Sequence, residues 1–483
     1  MIKLYITITF KETKIMIFSS YSFIFCFFPI AFAVFCLLRA AKKPQLLKAW
    51  LVIVSLVFYA IGQLDFFAVF LGSVLFNYLL VRIIMRKEQK KYVKIICLLL
   101  SIAENIGLLI YFKYTNFIIL NINRVFGTHM GALSLILPIG ISFFTFQILS
   151  CTIAAYKGEL KCPAMLDYML FITFFPQLIV GPVVMHDELL PQIEGDRLLD
   201  WDKNDIMRGV LLFSVGAAKK VILANPMIDY ATVFYAGDIS ASDSSAAWLG
   251  VVAFTFAYYF DFSGYIDMAR GLGLLFGMRL PINFDSPYKA RDFADFWRRW
   301  NITISRFFDS AVFRNLFGFG DRIPKLIFAT LVTFLVSGIW HGAAWHYIIW
   351  GLVCGLLVAL SNILTLYRIK IPKAVGCGVT FFVMMLVRVL FDAENMTDAV
   401  LVYKKLFTFS GTLEPLLDNL YIVAIIFVSA LICFIPKNSN EITDIKAEES
   451  RPLGALHIIF AAALLVFSIA NMSSISTFLY FNF

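Results

Sequence analysis

The sequence predicts a polytopic, all-α membrane protein, and three observations carry that expectation. Of its 483 residues, 60% are hydrophobic and only 15% are charged. The apolar residues fall into long, nearly uncharged runs at 51–59, 66–81, 95–110, 326–339, 347–360 and 422–435. Lys and Arg gather instead in short joints between such runs. A helix crosses the hydrocarbon core with about 20 mostly apolar residues. Lipid offers backbone groups no hydrogen-bond partner, so each crossing should be helical. That length rule gives roughly ten to twelve spans, with re-entrant or interfacial helices in addition.

Residues 1–15 (MIKLYITITFKETKI) lack the small-residue cleavage site of a signal peptide. Met16 opens MIFSSYSFIFCFFPIAFAVFCLL, a span with a start of its own. The expected organisation is an extension over 1–15 and one membrane-embedded domain over 16–483. The next spans, to about Phe112, alternate with the basic joints 39–48 and 82–94. Two spans separate the joints, so both can face the cytoplasm, where loops concentrate Lys and Arg, if the first span starts outside. Membrane orientation thus accounts for the net charge of +9, and no nucleic-acid partner is needed.

Residues 137–147 (LPIGISFFTFQ) place Pro138 and Gly140 at the entry of an apolar run, the mark of a broken helix start. Residues 174–182 (FFPQLIVGP) repeat the pattern in a segment too short to cross, which reads as re-entrant or interfacial. Residues 186–205 form a polar loop, and Lys219-Lys220 ends the following apolar segment. A span over 245–262 closes on Asp261 and Asp267. Ionised carboxylates there require partners, and Arg270 and Arg279 are the nearest candidates. Further spans follow at 347–364, 376–391 and 418–435, then a polar loop at 436–452 and a last span at 455–469. The eight cysteines show no CxxC spacing, so neither a zinc site nor a redox pair is expected.

The polar block 281–325 leads directly into an apolar run carrying a histidine, and the functional expectation rests on that junction. Phe293, Phe296, Trp297, Trp300, Ile304, Phe307 and Phe308 make the stripe of one amphipathic helix over 292–308. An interfacial anchoring helix would show the same stripe. Asn301 stands out because it follows Arg298, Arg299 and Trp300. His341 lies between the run 326–339 and Gly342-Ala343-Ala344. An ionisable group in such surroundings marks a pathway or a reaction centre, and its reference pKa of about 6.5 suits a proton acceptor. His346 lies five residues further on, within reach of the same cavity or of an interface.

These stretches resemble the membrane-bound O-acyltransferases, in particular a bacterial branch similar to alginate O-acetylation proteins. The similarity runs from Met16 over nearly the whole chain. It is carried by FSSYSF near the start, residues 137–147, FFPQLIVGPV at 174–183, and YFDFSGYIDMARGLGLLFGMRLPINFDSPY at 259–288. FADFWRRWNITIS at 293–305 and the triplet Trp340-His341-Gly342 complete it.

The resemblance implies a helical fold around a central tunnel in the cytoplasmic membrane of a bacterium. His341 would be the essential histidine and general base, and Asn301 its catalytic partner. Close bacterial relatives usually carry a second His where this chain has Asn301. In the wider superfamily, Asn or Asp partners a single histidine. Trp340, Trp297, Arg298 and Arg299 are the expected substrate-binding residues, the arginines for donor phosphates. The donor implied is acetyl-CoA, with no tightly bound cofactor and no metal. The acceptor implied is an exported or cell-surface, alginate-like polysaccharide, reached through an extracytoplasmic, SGNH hydrolase-like partner acetyltransferase. A transporter or flippase is the rival from another class, although the internal repeats common in carriers are not visible. A scaffold that has lost the chemistry is the third reading.

Overall fold

A computed structural model describes residues 16–483 except 201, 319, 321, 444–453, 473–477 and 480–483. The proposed extension over 1–15 lies outside the described residues. Within them the regular structure is helical, without a strand. Seven helices are long and apolar enough to cross a membrane: Phe23–Ala40, Pro44–Ile84, Lys91–Phe126, Ser244–Leu275, Ile323–His341, Trp345–Leu366 and Lys373–Asp392. Leu420–Phe434 and Ala455–Ala470 are shorter apolar helices. The molecule is a multi-pass α-helical membrane protein, as its apolar runs require.

The chain clusters into two compact units. The first comprises Met1–Phe213, Met268–Pro281 and Met472–Ser476. Its runs 51–59 and 66–81 share the helix Pro44–Ile84, kinked where Gln63 leaves helical geometry at φ −151° and ψ 52°. Phe18, Phe23, Phe58 and Phe175 interlock their rings at centroid separations of 5.1–6.3 Å. Lys48 and Asp167 meet at 2.7 Å in the interior. The broken start is real: Gly140 has φ +77° and opens the helix Ile141–Lys157. A Cβ there would lie 2.8 Å from the backbone oxygen of Leu178, so glycine answers both to the backbone angle and to the close approach.

Residues 174–184 are buried, with one short helix, Phe175–Leu178. Protein encloses this irregular stretch rather than an interface, the condition under which such backbone survives at membrane depth. The polar stretch 186–205 is more structured than a loop. It contains the helix His186–Glu194, which buries Leu189, Leu190 and Ile193. Asp205 closes it by binding Arg197 at 2.9 Å and Arg279 at 3.0 Å.

The second unit comprises Ser214–Asp267, Ile282–Asn471 and Thr477–Phe483. Asp261 and Asp267 each pair with a lysine that was not among the partners expected for them. Lys220 lies 2.6 Å from Asp261 and Lys219 lies 2.6 Å from Asp267. Arg270 donates to the Leu280 carbonyl, and Arg279 pairs with Asp205. The lysines come from a neighbouring helical turn, Lys219–Ala224, and such lateral pairing is invisible to spacing along the chain.

The helices Ile323–His341 and Trp345–Leu366 pack backbone to backbone. A Cβ on Gly338 would collide with the Tyr347 carbonyl oxygen, and one on Gly351 with that of Phe334. Small residues permit this approach within a membrane. The loop after Leu420–Phe434 anchors the segment 284–286. Asn438 donates to Asp285 and Ser286, each at 2.9 Å, and Asn440 donates to the Phe284 carbonyl at 2.8 Å.

Candidate active site

The amphipathic stripe over 292–308 is not one helix. Asp292 caps Phe293–Arg299 by accepting from the Asp295 N–H at 2.8 Å. The helix stops because Trp300 turns extended (φ −104°, ψ 126°) and Asn301 turns left-handed (φ 44°, ψ 53°). A second helix, Ile302–Phe308, follows. Asparagine is among the few residues that enter the left-handed region readily. The apolar spacing hid the break because it continues without interruption from Phe293 to Phe308. Two backbone hydrogen bonds fasten it to 283–285: Asp285 N–H to Arg299 O at 3.0 Å, and Ile302 N–H to Asn283 O at 3.0 Å.

Side chains complete the joint. Asn283 is 1% exposed and Asn301 5%. The Asn283 Oδ1 accepts from the backbone N–H of Thr303 at 3.0 Å and from its hydroxyl at 2.9 Å. The Asn283 Nδ2 donates to Asn301 Oδ1 at 3.1 Å. The amide nitrogen of Asn301 makes no hydrogen bond among the described residues.

His341 ends the helix Ile323–His341, and the chain leaves it extended at Gly342. It is 8% exposed. Its imidazole sits among rings, with centroids 4.6 Å from Trp340, 5.0 Å from Trp350 and 5.1 Å from Phe391. His341 and Asn301 both line one cavity of about 520 Å³. Walls of Trp297, Trp300, Tyr258 and Phe391 make it largely apolar, as small-molecule sites usually are.

The other expected residues divide. Trp297 lines the cavity, packed on Phe334 at 5.4 Å and Trp350 at 5.7 Å, and its indole N–H is buried without a hydrogen-bond partner among the described residues. Arg298 reaches the cavity from its rim, its side chain 68% exposed. Trp340 stands behind the histidine, against Phe308 at 5.9 Å, and does not line the cavity. Arg299 also stays outside. It donates to Asp295 at 2.9 Å and to the Asp285 carbonyl at 3.2 Å, bracing the joint. His346 is turned away, its Nδ1–H donating to the Leu390 carbonyl at 2.9 Å.

Two residues escaped the sequence reading. Asn283 sits in a polar stretch where one more amide gives no signal. Arg388, inside the run 376–391, lines the cavity, binds Asp392 at 2.8 Å and lies 3.6 Å above the Tyr258 ring centroid. Its signal was an arginine with an aspartate four residues later in an apolar run. Among the described residues no cluster of His, Cys, Asp and Glu has the makings of a metal site.

A buried histidine and an amide side chain thus share one apolar cavity of a polytopic helical membrane protein, an arrangement suited to group transfer. Residues 52–391 match the model of the membrane-bound O-acyltransferase family, and the chain belongs to that family and is an acyltransferase. It is 35% identical to a peptidoglycan O-acetyltransferase of Helicobacter pylori, across 97% of this chain and 98% of that protein. It is 34% identical to a probable alginate O-acetylase, AlgI, of Pseudomonas aeruginosa, over 82% of this chain and 75% of the other. A teichoic acid D-alanyltransferase of Streptococcus thermophilus is 28% identical over 50% of this chain and 60% of its own length.

Proposed function

We propose that the chain moves an acetyl group from acetyl-CoA through the cytoplasmic membrane for O-acetylation of an exported or cell-surface polysaccharide. The observation that carries this reading is His341 and the free N–H₂ of Asn301 on one ring-lined cavity. His341 takes the proton of the attacking hydroxyl as its oxygen bonds to the thioester carbonyl carbon. The C–S bond then breaks, and the proton passes to the departing thiolate. A positioned base of this kind is worth roughly 10²–10⁴-fold. The Asn301 N–H₂ donates to the carbonyl oxygen as negative charge develops there, where a fixed donor in a dry site acts most strongly.

Arg298 at the rim meets donor phosphates, since guanidinium binds phosphate oxygens bidentately. Trp297 offers its buried N–H to a polar atom of the bound donor, and Trp340 holds the imidazole from behind. Relatives named for peptidoglycan and alginate O-acetylation support a polysaccharide acceptor. The hydroxyl acylated first belongs either to that acceptor or to an extracytoplasmic, SGNH hydrolase-like partner that passes the group on.

The test is the base-labile acetate on exported polysaccharide from cells carrying this chain or its His341→Ala variant. Ester acetate with the native chain and its loss with the variant, at equal membrane content, is the expected result. Equal acetate in both would overturn the reading.

A further inference from the structure

We propose that Asn283 is a positioning residue that fixes the Asn301 side chain as a hydrogen-bond donor toward the cavity. The proposal rests on the acyl-transfer reading above and names a residue on which that reading does not depend.

The polarity of three hydrogen bonds fixes both amides. A backbone N–H can only donate, so the atom of Asn283 facing Thr303 N at 3.0 Å is its oxygen. A primary amide carries one oxygen and one nitrogen, so the other end of Asn283 is an N–H₂, and it faces Asn301 at 3.1 Å. The atom it meets must accept, so it is Asn301 Oδ1. What Asn301 has left is its own N–H₂, on the side chain that lines the cavity with His341. The main chain at Thr303 thus dictates, through two amides, what the cavity is offered.

Burial keeps the relay rigid. Both amides are more than nine-tenths buried, so water cannot stand in for a mismatched partner. Turning either amide over would set two donors or two acceptors face to face. The backbone bonds from Ile302 to Asn283 and from Asp285 to Arg299 hold the residues at fixed separation. A carboxamide is too weak a base to take the hydroxyl proton, and the base duty falls to His341 alone.

The deciding variant is Asn283→Asp in the full-length chain, assayed in membranes with labelled acetyl-CoA beside the native chain and His341→Ala. Aspartate keeps the acceptor for Thr303 and sets a second acceptor against Asn301. The Asn301 amide then turns its N–H₂ inward and its oxygen to the cavity. The expected result is a fall in kcat of about 10²–10³-fold, the usual cost of one oxyanion donor, with KM for acetyl-CoA held within about threefold. Because Asn283 acts through Asn301, Asn283→Asp with Asn301→Ala should be no slower than Asn301→Ala alone. Lowering the pH should narrow the deficit of Asn283→Asp relative to the native chain, because a protonated carboxyl can again donate to Asn301.

A residue that only braces the turn would show none of these three signatures. Should Asn283→Asp fail to give folded protein in detergent, Asn283→Ala serves, with kcat expected to fall at least about tenfold and KM to hold. Unchanged kcat in the folded variant, or additive losses in the double variant, overturns the assignment while His341→Ala remains inactive. Transfer that survives His341→Ala overturns instead the reading on which the proposal rests.

Discussion

Lys220 and Asp261 lie 2.6 Å apart with side chains 2% and 1% exposed, and the second carboxylate oxygen of Asp261 accepts from the Leu479 N–H at 2.9 Å. Both charges are removed from water, so each depends on the other. Removing one partner of a buried pair typically costs about 3–5 kcal/mol, whereas replacing both with apolar groups is often neutral. Lys220→Met and Asp261→Asn should therefore each lower the melting temperature sharply in detergent. The double variant Lys220→Met with Asp261→Leu should recover most of the loss.

Gly338 and Gly351 let two helices touch just ahead of His341. Gly338→Ala must push the Ile323–His341 and Trp345–Leu366 helices apart and shift His341 away from Trp350. Melting should fall together with kcat, and Gly351→Ala should behave alike. A variant with native melting and native turnover would show that this packing does not position His341.

Neighbouring arginines should separate by assay. Arg298→Gln loses an exposed rim charge, worth about 0.2–1 kcal/mol, so KM for acetyl-CoA should rise no more than about fivefold. Added salt should shrink that difference. Arg299→Gln loses its links to Asp295 and to the Asp285 carbonyl. Lower thermal stability with little change in KM is the expected outcome, read by melting curves and initial rates.

Trp297→Phe removes the buried, unpartnered indole N–H while keeping most of the ring contacts with Phe334 and Trp350. An unsatisfied buried donor costs about 1–3 kcal/mol, so the apo protein should melt at the native temperature or above it. Acetyl-CoA should bind more weakly if that N–H serves the donor, which a KM measurement reads directly.

Much of this architecture was legible in the residues because its causes are local. Long apolar runs dictate helices, Pro138 and Gly140 mark a broken start, and a lone histidine beside Gly342 stands out at once. The break at Trp300 and Asn301 was hidden because the apolar spacing continues through it, and only backbone angles reveal the turn. The partners of Asp261 and Asp267 were missed because Lys219 and Lys220 are adjacent in space but some forty residues away in sequence. Asn283 reaches Asn301, and Arg388 reaches the cavity, through lateral contacts that spacing along one chain does not encode.

The most direct test of the chemistry assigned to His341 is transfer of radiolabelled acetyl from acetyl-CoA to polysaccharide in membranes holding equal amounts of native or His341→Ala protein. Label with the native chain and background with the variant is the expected result. Label that persists in the variant would contradict it.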